Sequence, residues 1–140
     1  RKSTDPETAK NFDESVRRKL KFLEFAPILH ISVLTGERVP KVLEAVDRIA
    51  SARRQRIPTA AVNSFVEKVT RAHTPARSGQ KEVRILYAVQ TGIEPPSFVF
   101  FTNVAKKFHF SYERFLINQL REAFGFEGSP IKIHVRRRRK

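Results

Sequence analysis

The 140-residue sequence contains no cysteine, which excludes a disulfide scaffold, thiol chemistry and any zinc–thiolate site. It has no apolar run of about 18 residues, the length that a transmembrane helix needs, and no signal-peptide pattern. The four histidines, His30, His73, His109 and His134, lack the spacing of metal ligands, so we expect no metal site. These absences suit a cytoplasmic protein without a membrane partner, and we expect that location.

Acidic residues are also scarce, because 14 Asp and Glu stand against 28 Lys and Arg and give a net charge of +14. Such an excess favours binding to a polyanion such as RNA or DNA, since neutralised phosphates release their condensed counterions. An acidic membrane or protein surface, or a basic surface that only keeps the protein in solution, are the alternatives. The last five residues, 136–140, are all cationic.

Residues 1–57 carry the pattern helix, strand, helix. Apolar residues recur at helical spacing over residues 12–23 and again over residues 39–50. Between them, residues 28–31 are apolar on both faces, which predicts a strand buried in a parallel sheet. A lone parallel strand leaves its backbone groups without partners, so we interpret this part as a piece of a larger α/β layer fold. Residues 1–50 are then paired with residues outside this sequence, paired with a second copy of the chain, or poorly ordered.

Residues 58–140 predict a compact two-layer α+β domain with the order α-β-β-α-β. Strands are predicted at residues 83–89 and 98–102, which are rich in β-branched and aromatic residues, and at residues 130–135, where apolar and polar residues alternate. A basic connector at residues 52–57 separates this part from the first. The fold class of the whole chain is therefore α/β plus α+β.

One helix in this second part is predicted to organise the domain. Ser111 is a suitable N-cap and Gly125 a suitable residue after the helix end. Tyr112, Leu116 and Leu120 form an apolar stripe between them. Five aromatic side chains are interpreted as core rather than as platforms for nucleic-acid bases: Phe98, Phe100, Phe108, Tyr112 and Phe124.

The segment ILHISVLTGERV at residues 28–39 resembles the fifth guanine-nucleotide motif, the S-A-x loop, of the Der (EngA) family of GTPases. The resemblance covers nearly the whole chain and continues through residues 56–59, 85–92, 95–98, 108–112 and 120–131. It implies that residues 1–57 are the end of a P-loop GTPase domain, an α-β-α remnant. It also implies that residues 58–140 are a KH-like RNA-binding domain of a protein acting in large ribosomal subunit assembly.

The nucleotide site is incomplete in this sequence. There is no G-x-x-x-x-G-K-[ST] phosphate loop, without which a γ-phosphate cannot be held, and no N-K-x-D motif to read guanine. The resemblance makes Ser32, Val33 and Leu34 a remnant guanine-contacting loop, with Val33 where the family usually has alanine. GTP or GDP is thus a cofactor of the parent protein. We expect no bound cofactor, no catalytic residue and no GTP hydrolysis for this chain alone.

Nine cationic side chains are the candidates for contact with RNA phosphates: Arg84, Lys106, Lys107, Lys132, Arg136, Arg137, Arg138, Arg139 and Lys140. The alternative is that they only solubilise the surface. Gly125 and Gly128 have the G-x-x-G spacing with which KH domains clamp nucleic acid. However, Glu127 between them would repel phosphate, so a helix end followed by a turn is favoured.

Two functions from different classes follow. The first is an RNA-binding module whose partners are ribosomal RNA, the large subunit and the GTPase domains of the same protein. The second is a regulatory protein–protein module that docks on a GTPase domain in a nucleotide-dependent way. Salt separates the two, because RNA binding weakens steeply between low and moderate salt whereas apolar docking does not.

Overall fold

A computed structural model describes residues 6–138, and the chain divides into two compact units between Asp47 and Arg48. The division falls inside the helix α2 (Val39–Arg53), so the end of this helix belongs to the second unit. The predicted boundary at residue 57 lies after this division. The assignment of residues 1–57 to a GTPase domain stays a prediction.

The first unit begins with the helix α1 (Pro6–Lys19), followed by a short 3-10 turn (Lys21–Leu23). Proline is favoured at the start of a helix, because its missing N–H would have no partner there. Arg17 closes the turn, since its guanidinium donates to the carbonyl oxygens of Leu23 at 3.3 Å and Glu24 at 3.1 Å. The two predicted helices of this unit are confirmed.

Residues 28–31 do not form the predicted strand. The sheet found among residues 6–138 contains three strands, all of which lie in the second unit. An apolar run becomes a strand only when neighbouring strands satisfy its N–H and C=O groups, and none of the described strands pairs with this run. The chain then turns, and Ser32 N donates to the carbonyl oxygen of Glu37 at 3.1 Å.

The second unit contains the predicted α-β-β-α-β order. Its elements are α3 (Thr59–Ala72), β1 (Ile85–Gly92), β2 (Ser97–Thr102), α4 (Phe110–Phe124) and β3 (Lys132–Arg137). The sheet has the order β1-β2-β3, with β1 antiparallel and β3 parallel to β2. A parallel pair needs a long crossover, which α4 supplies.

The core of this unit lies between the sheet and the two helices. Val62 on α3, Phe98 and Phe100 on β2, and Leu116 and Leu120 on α4 are all 0% exposed. Several aromatic rings of the core meet edge to face, an arrangement that their quadrupoles favour. Phe98 and Phe126, for example, have their centroids 5.9 Å apart at 72°. The five aromatic residues predicted to be core are confirmed as buried or packed against the core.

The start of α4 differs from the prediction. The helix begins at Phe110 and its N-cap is His109, whose ring nitrogen Nδ1 accepts the N–H of Ser111 at 3.2 Å. Ser111 is already inside the first turn, so the prediction that it caps the helix is wrong. Gly125 does end the helix as predicted. Its φ is positive, at 95°, and its N–H donates a hydrogen bond to the carbonyl of Arg121 at 2.8 Å.

The bounds of β1 and β3 lie further towards the C-terminus than predicted, whereas β2 begins one residue earlier, at Ser97. β1 starts at Ile85 rather than at residue 83, because the N–H of Arg84 donates to the side chain of Asn103 at 2.9 Å instead of to a strand. The strand β1 ends at Gly92. The side-chain oxygen of Gln90 accepts the N–H of Ile57 at 2.6 Å, and its Nε2 donates to the carbonyl of Gln55 at 2.9 Å. The basic connector is therefore fixed to the sheet by hydrogen bonds.

Candidate nucleic-acid interface

A β-bulge in β1 decides which side chains lie on each face of the sheet. Ile85 pairs with Thr102 and Tyr87 with Phe101, so Leu86 is an extra residue in β1. Strict alternation would put Tyr87 on the same face as Ile85, which packs against the core. The bulge instead brings Ala88 into the core and turns Tyr87 to the opposite face. We call this opposite face, which carries Tyr87, Phe101 and Arg136, the outer face.

Two aromatic rings stack on the outer face. The centroids of Tyr87 and Phe101 are 4.5 Å apart and the ring planes are inclined by 16°. Arg136 on β3 is the partner of Phe101 in the parallel register, and partnered residues on neighbouring strands project from the same face. One row of the sheet therefore reads tyrosine, phenylalanine, arginine.

An open depression of about 1330 Å³ lies at the end of the sheet that carries this row. Its lining residues are Leu86, Tyr87, Phe101, Asn103, Arg136, Arg137 and Arg138. The lining residues include three arginines and no acidic residue. The backbone of Arg138 is held in place, because its N–H donates to the carbonyl of Thr102 at 2.9 Å. A guanidinium presents a planar set of donors that matches a phosphate, so the cluster is suited to bind anions.

The other candidate cations are spread more widely. Arg84 lies near the same end, because Asn103, which lines the depression, accepts its backbone N–H. Lys106 and Lys107 are exposed in the loop between β2 and α4. Lys132 pairs with Ser97 at the far end of β3, about 13 Å along the strand from Arg136. Arg139 and Lys140 lie outside the described residues. The structure thus gathers three of the nine candidates around one depression.

Tyr87 and Phe101 were missed as candidate site residues in the sequence. Both belong to predicted strands. Their common position on the outer face depends on the bulge, which no pattern in the amino-acid sequence predicts. The available signal was an aromatic residue on each of two neighbouring strands, together with a third strand that ends in arginines. Asn103 was missed as well, since its role is to bond backbone groups of a distant loop.

The loop from Gly125 to Gly128 is closed rather than open to a ligand. Phe126 is buried, and the Arg121 guanidinium donates to the carbonyls of Phe126 at 3.0 Å and Ser129 at 2.7 Å. Gly128 has a φ of +73°, and a Cβ there would lie 2.4 Å from the side chain of Ile49. A strand follows the loop instead of the helix that a KH clamp requires. The structure therefore supports the helix end with a turn.

Glu127 in this loop is already paired with a cation of the protein. Both of its carboxylate oxygens accept hydrogen bonds from Arg48, at 3.0 and 3.2 Å. The hydrogen bond from Arg48 lowers the pKa of the Glu127 carboxyl below its usual range. Glu127 thus keeps a negative charge at the place where a clamp would have to receive a phosphate.

The three residues of the predicted guanine-contacting loop lie in the first unit. Val33 is 86% and Leu34 99% exposed, while Ser32 is half-buried. The Ser32 hydroxyl accepts the N–H of Thr35 at 3.3 Å, so the turn is held by its own side chains. Whether this loop contacts a nucleotide stays a prediction.

Among residues 6–138 there is no group of three or more His, Asp or Glu side chains that could hold a metal ion. In the same part of the chain, no helix has the length and apolar character needed to cross a membrane.

Comparison with known proteins identifies the family. Residues 56–136 match the model of the KH-domain-like C-terminal domain of EngA bacterial GTPase enzymes. The chain belongs to the EngA, or Der, family. This confirms the resemblance found in the sequence motifs, and the match lies entirely within the second unit.

The relatives in this family carry the name GTPase Der. The chain is 45% identical to the one from Moorella thermoacetica over 135 residues, 96% of this chain and 31% of that protein. It is 40% identical to the one from Desulforamulus reducens, over 96% of the chain and 30% of the relative. For Syntrophotalea carbinolica the identity is 44%, with 96% and 30% coverage. This Der-family chain therefore spans about a third of the length of these curated relatives.

Proposed function

We propose that this chain is the RNA-binding portion of a GTP-binding protein that acts in large ribosomal subunit assembly. In this proposal the KH-like domain, residues 58–140, contacts ribosomal RNA. The observation that carries it is the group of Arg136, Arg137 and Arg138 around one depression with no carboxylate among the lining side chains. Such a group favours a polyanion, and the net charge of +14 favours the same partner.

The proposal for the first unit is that it completes a GTPase domain. Large apolar side chains are exposed in this unit, among them Phe22, Leu29 and Leu43. In a P-loop domain these residues would pack against neighbouring strands and helices, and Ser32, Val33 and Leu34 would face the guanine base. GTP and GDP are then ligands of the complete protein, whose GTPase domains are partners of this chain. The cytoplasm is the location that this function implies.

A second candidate function is docking of the KH-like domain on a GTPase domain, controlled by the bound nucleotide. The observation that favours it is the apolar part of the outer face, where Leu86, Tyr87 and Phe101 line the depression. Burial of such side chains stabilises a protein interface, and this interaction changes little with salt. The salt dependence of binding therefore distinguishes this function from RNA binding.

The test of RNA binding neutralises the basic end of β3. Residues 136–137 pair with β2, so replacing all five cations of residues 136–140 by glutamine is better than deletion, because it keeps the strand. We expect weaker binding of the 140-residue chain to ribosomal RNA transcripts, by a similar factor for different sequences. The slope of log K against log salt should fall by about one for each lost phosphate contact.

The matched control is Lys68→Gln, which removes an exposed cation from α3. It should leave both the affinity and the salt slope unchanged. Fluorescence anisotropy with labelled transcripts at several salt concentrations measures both quantities. Unchanged affinity and slope in the glutamine variant would assign these cations to solubility alone. Failure of the unmodified chain to bind any ribosomal RNA would contradict the proposed function.

A further inference from the structure

We infer that the outer face of the sheet is a stacking platform for the bases of single-stranded RNA. Tyr87 and Phe101 would lie against the bases, and Arg136, Arg137 and Arg138 would bind the phosphates. The inference rests on the proposed function and adds to it the binding face, the form of the RNA and the mode of recognition.

The geometry of the two rings is the first argument. Tyr87 and Phe101 already stack nearly parallel, at 4.5 Å and 16°. Tyr87 keeps 37% of its surface exposed although it lies in the middle of a strand. A planar base can extend this stack, and stacking of bases on aromatic side chains is the main sequence-tolerant contact of single-strand binders.

The surrounding charge is the second argument. Arg136 lies next to Phe101 in the register, on a strand about 4.8 Å from β2. A base on the rings therefore brings its own phosphate within reach of a guanidinium. Arg137 and Arg138 continue the positive charge along the rim of the depression, and its lining includes no carboxylate. An aromatic platform beside cations matches a nucleotide, which combines a planar ring with a negative charge.

The form of the RNA follows from the same contacts. In a duplex the bases stack on one another and their faces are closed to protein, so a flat aromatic platform selects unpaired segments. Asn103 is the one amide among the lining residues, and it is already engaged. Its Nδ2 donates to the carbonyl of Glu82 at 2.8 Å and its Oδ1 accepts the N–H of Arg84 at 2.9 Å. We therefore expect little discrimination between bases.

This platform is separate from the loop that KH domains use to clamp nucleic acid. In this chain Arg121 and Arg48 close the loop between Gly125 and Gly128 through hydrogen bonds to its carbonyl oxygens and to Glu127. RNA would instead lie across the strands, at the end of the sheet where β3 is followed by further arginines.

The test uses the 140-residue chain and fluorescein-labelled 12-nucleotide oligo(rU) and oligo(rA). Tyr87→Leu keeps an apolar side chain but removes the ring, and we expect about 5- to 100-fold weaker binding to both oligonucleotides. The salt slope should stay the same, because no charge is lost. Tyr87→Phe keeps the ring and should stay within about twofold of the unmodified chain. Arg138→Gln should lower the salt slope by about one.

The matched control is Phe110→Leu. This ring is 72% exposed but lies at the start of α4, away from the strands, so its loss should not affect binding. Stability of each variant is checked by thermal unfolding.

A second measurement observes the platform directly. The chain has two tyrosines and no tryptophan, so in Tyr112→Phe the fluorescence of tyrosine comes from Tyr87 alone. Stacking of a base on this ring should quench that fluorescence as oligo(rU) is added. If Tyr87→Leu fails to fold, the quenching experiment decides the question.

The outcomes separate the inference from the function on which it rests. Equal affinity of Tyr87→Leu and the unmodified chain, absence of quenching, or equally tight binding of an RNA duplex would overturn the platform while RNA binding stands. Loss of binding to a Der GTPase domain in Tyr87→Leu, with RNA binding intact, would assign the face to a protein partner. No binding of any RNA by the unmodified chain would overturn the proposed function as well.

Discussion

Asn63 on α3 forms hydrogen bonds with backbone groups on the edge of β1 that does not face β2. The side-chain amide donates to the carbonyl of Ala88 at 3.0 Å and accepts the N–H of the same residue at 2.9 Å. Since β1 is an edge strand, these two backbone groups have no strand beside them on that side. The amide therefore takes the place of one residue of a further strand, at a buried position of the sheet.

We predict that Asn63→Ala lowers the free energy of unfolding by about 1–3 kcal/mol, because it leaves a buried donor and acceptor without partners. Urea unfolding followed by circular dichroism measures the change. Asn118→Ala, at an exposed position of α4, is the control and should stay within about 0.5 kcal/mol of the unmodified chain. Equal stability of both variants would contradict the role given to Asn63.

Tyr112 is the residue whose titration reports on the core. Burial raises the pKa of its hydroxyl from 10.0 to about 12, and the hydroxyl donates to the carbonyl of His73 at 3.0 Å. In Tyr87→Phe it is the one tyrosine left, so we predict that tyrosinate absorbance of the folded variant rises near pH 12. A midpoint near 10 would show that the ring is not buried in solution.

The same shift has a consequence for stability. The folded state holds the proton more tightly than the unfolded state, so the contribution of Tyr112 is fully present below pH 10. It is lost as the pH rises from 10 through about 12, because the unfolded chain then releases the proton first. Tyr112→Phe removes this part of the pH dependence.

At the scale of elements, the helix α4 supports the second unit. Leu116 and Leu120 are 0% exposed and one helical turn apart, facing the core formed with the sheet. We predict that Leu→Ala at either position lowers the free energy of unfolding by about 2–5 kcal/mol, through lost apolar contacts and the cavity left behind. Denaturant unfolding measures it, with Arg114→Ala on the exposed side of α4 as control. A loss below about 1 kcal/mol at both positions would show that the stripe is not core.

Helical periodicity in the sequence correctly predicted the helices. Runs of β-branched and aromatic residues correctly predicted the first two strands of the KH-like domain, and alternation of apolar and polar residues correctly predicted the third. Three features were not predictable in this way. The cap of α4 is His109 because the helix starts before Ser111, and the side chain of Asn103 sets the start of β1. The bulge at Leu86 follows from the pairing of β1 with β2, which no local pattern encodes.

At the scale of the whole molecule, the two units differ in how far the backbone of their apolar segments is hydrogen-bonded in a sheet. In the second unit the strands form a hydrogen-bonded sheet, whereas residues 28–31 of the first unit lie outside any strand. We predict that in a monomer the amides of residues 28–32 exchange with deuterium much faster than those of residues 85–89. Hydrogen exchange read by mass spectrometry or NMR tests this. Equally slow exchange in a proven monomer would show that the first unit is complete by itself.

In the candidate site, too, properties of single residues were predictable from the sequence, whereas properties that depend on strand pairing were not. The sequence predicted the nine cations as a set, because charge is a property of each residue. It did not predict that Arg136 would lie beside Phe101, or that Tyr87 would share their face, because both depend on register. It also left open whether Gly125 and Gly128 form a clamp, and contacts with Ile49 and Arg48 on α2 decided that they do not.

The sequence by itself determined the family, the order of elements in the KH-like domain, its apolar stripe and the excess of positive charge. These properties depend on composition, on motifs and on the spacing of residues along one helix or strand, all of which can be read from the amino-acid sequence. The tertiary structure decided that residues 28–31 form no strand, that Tyr87 lies on the outer face and that three arginines surround one depression. Those features depend on which segments become neighbours, and that is set by the pairing of backbone groups between distant parts of the chain.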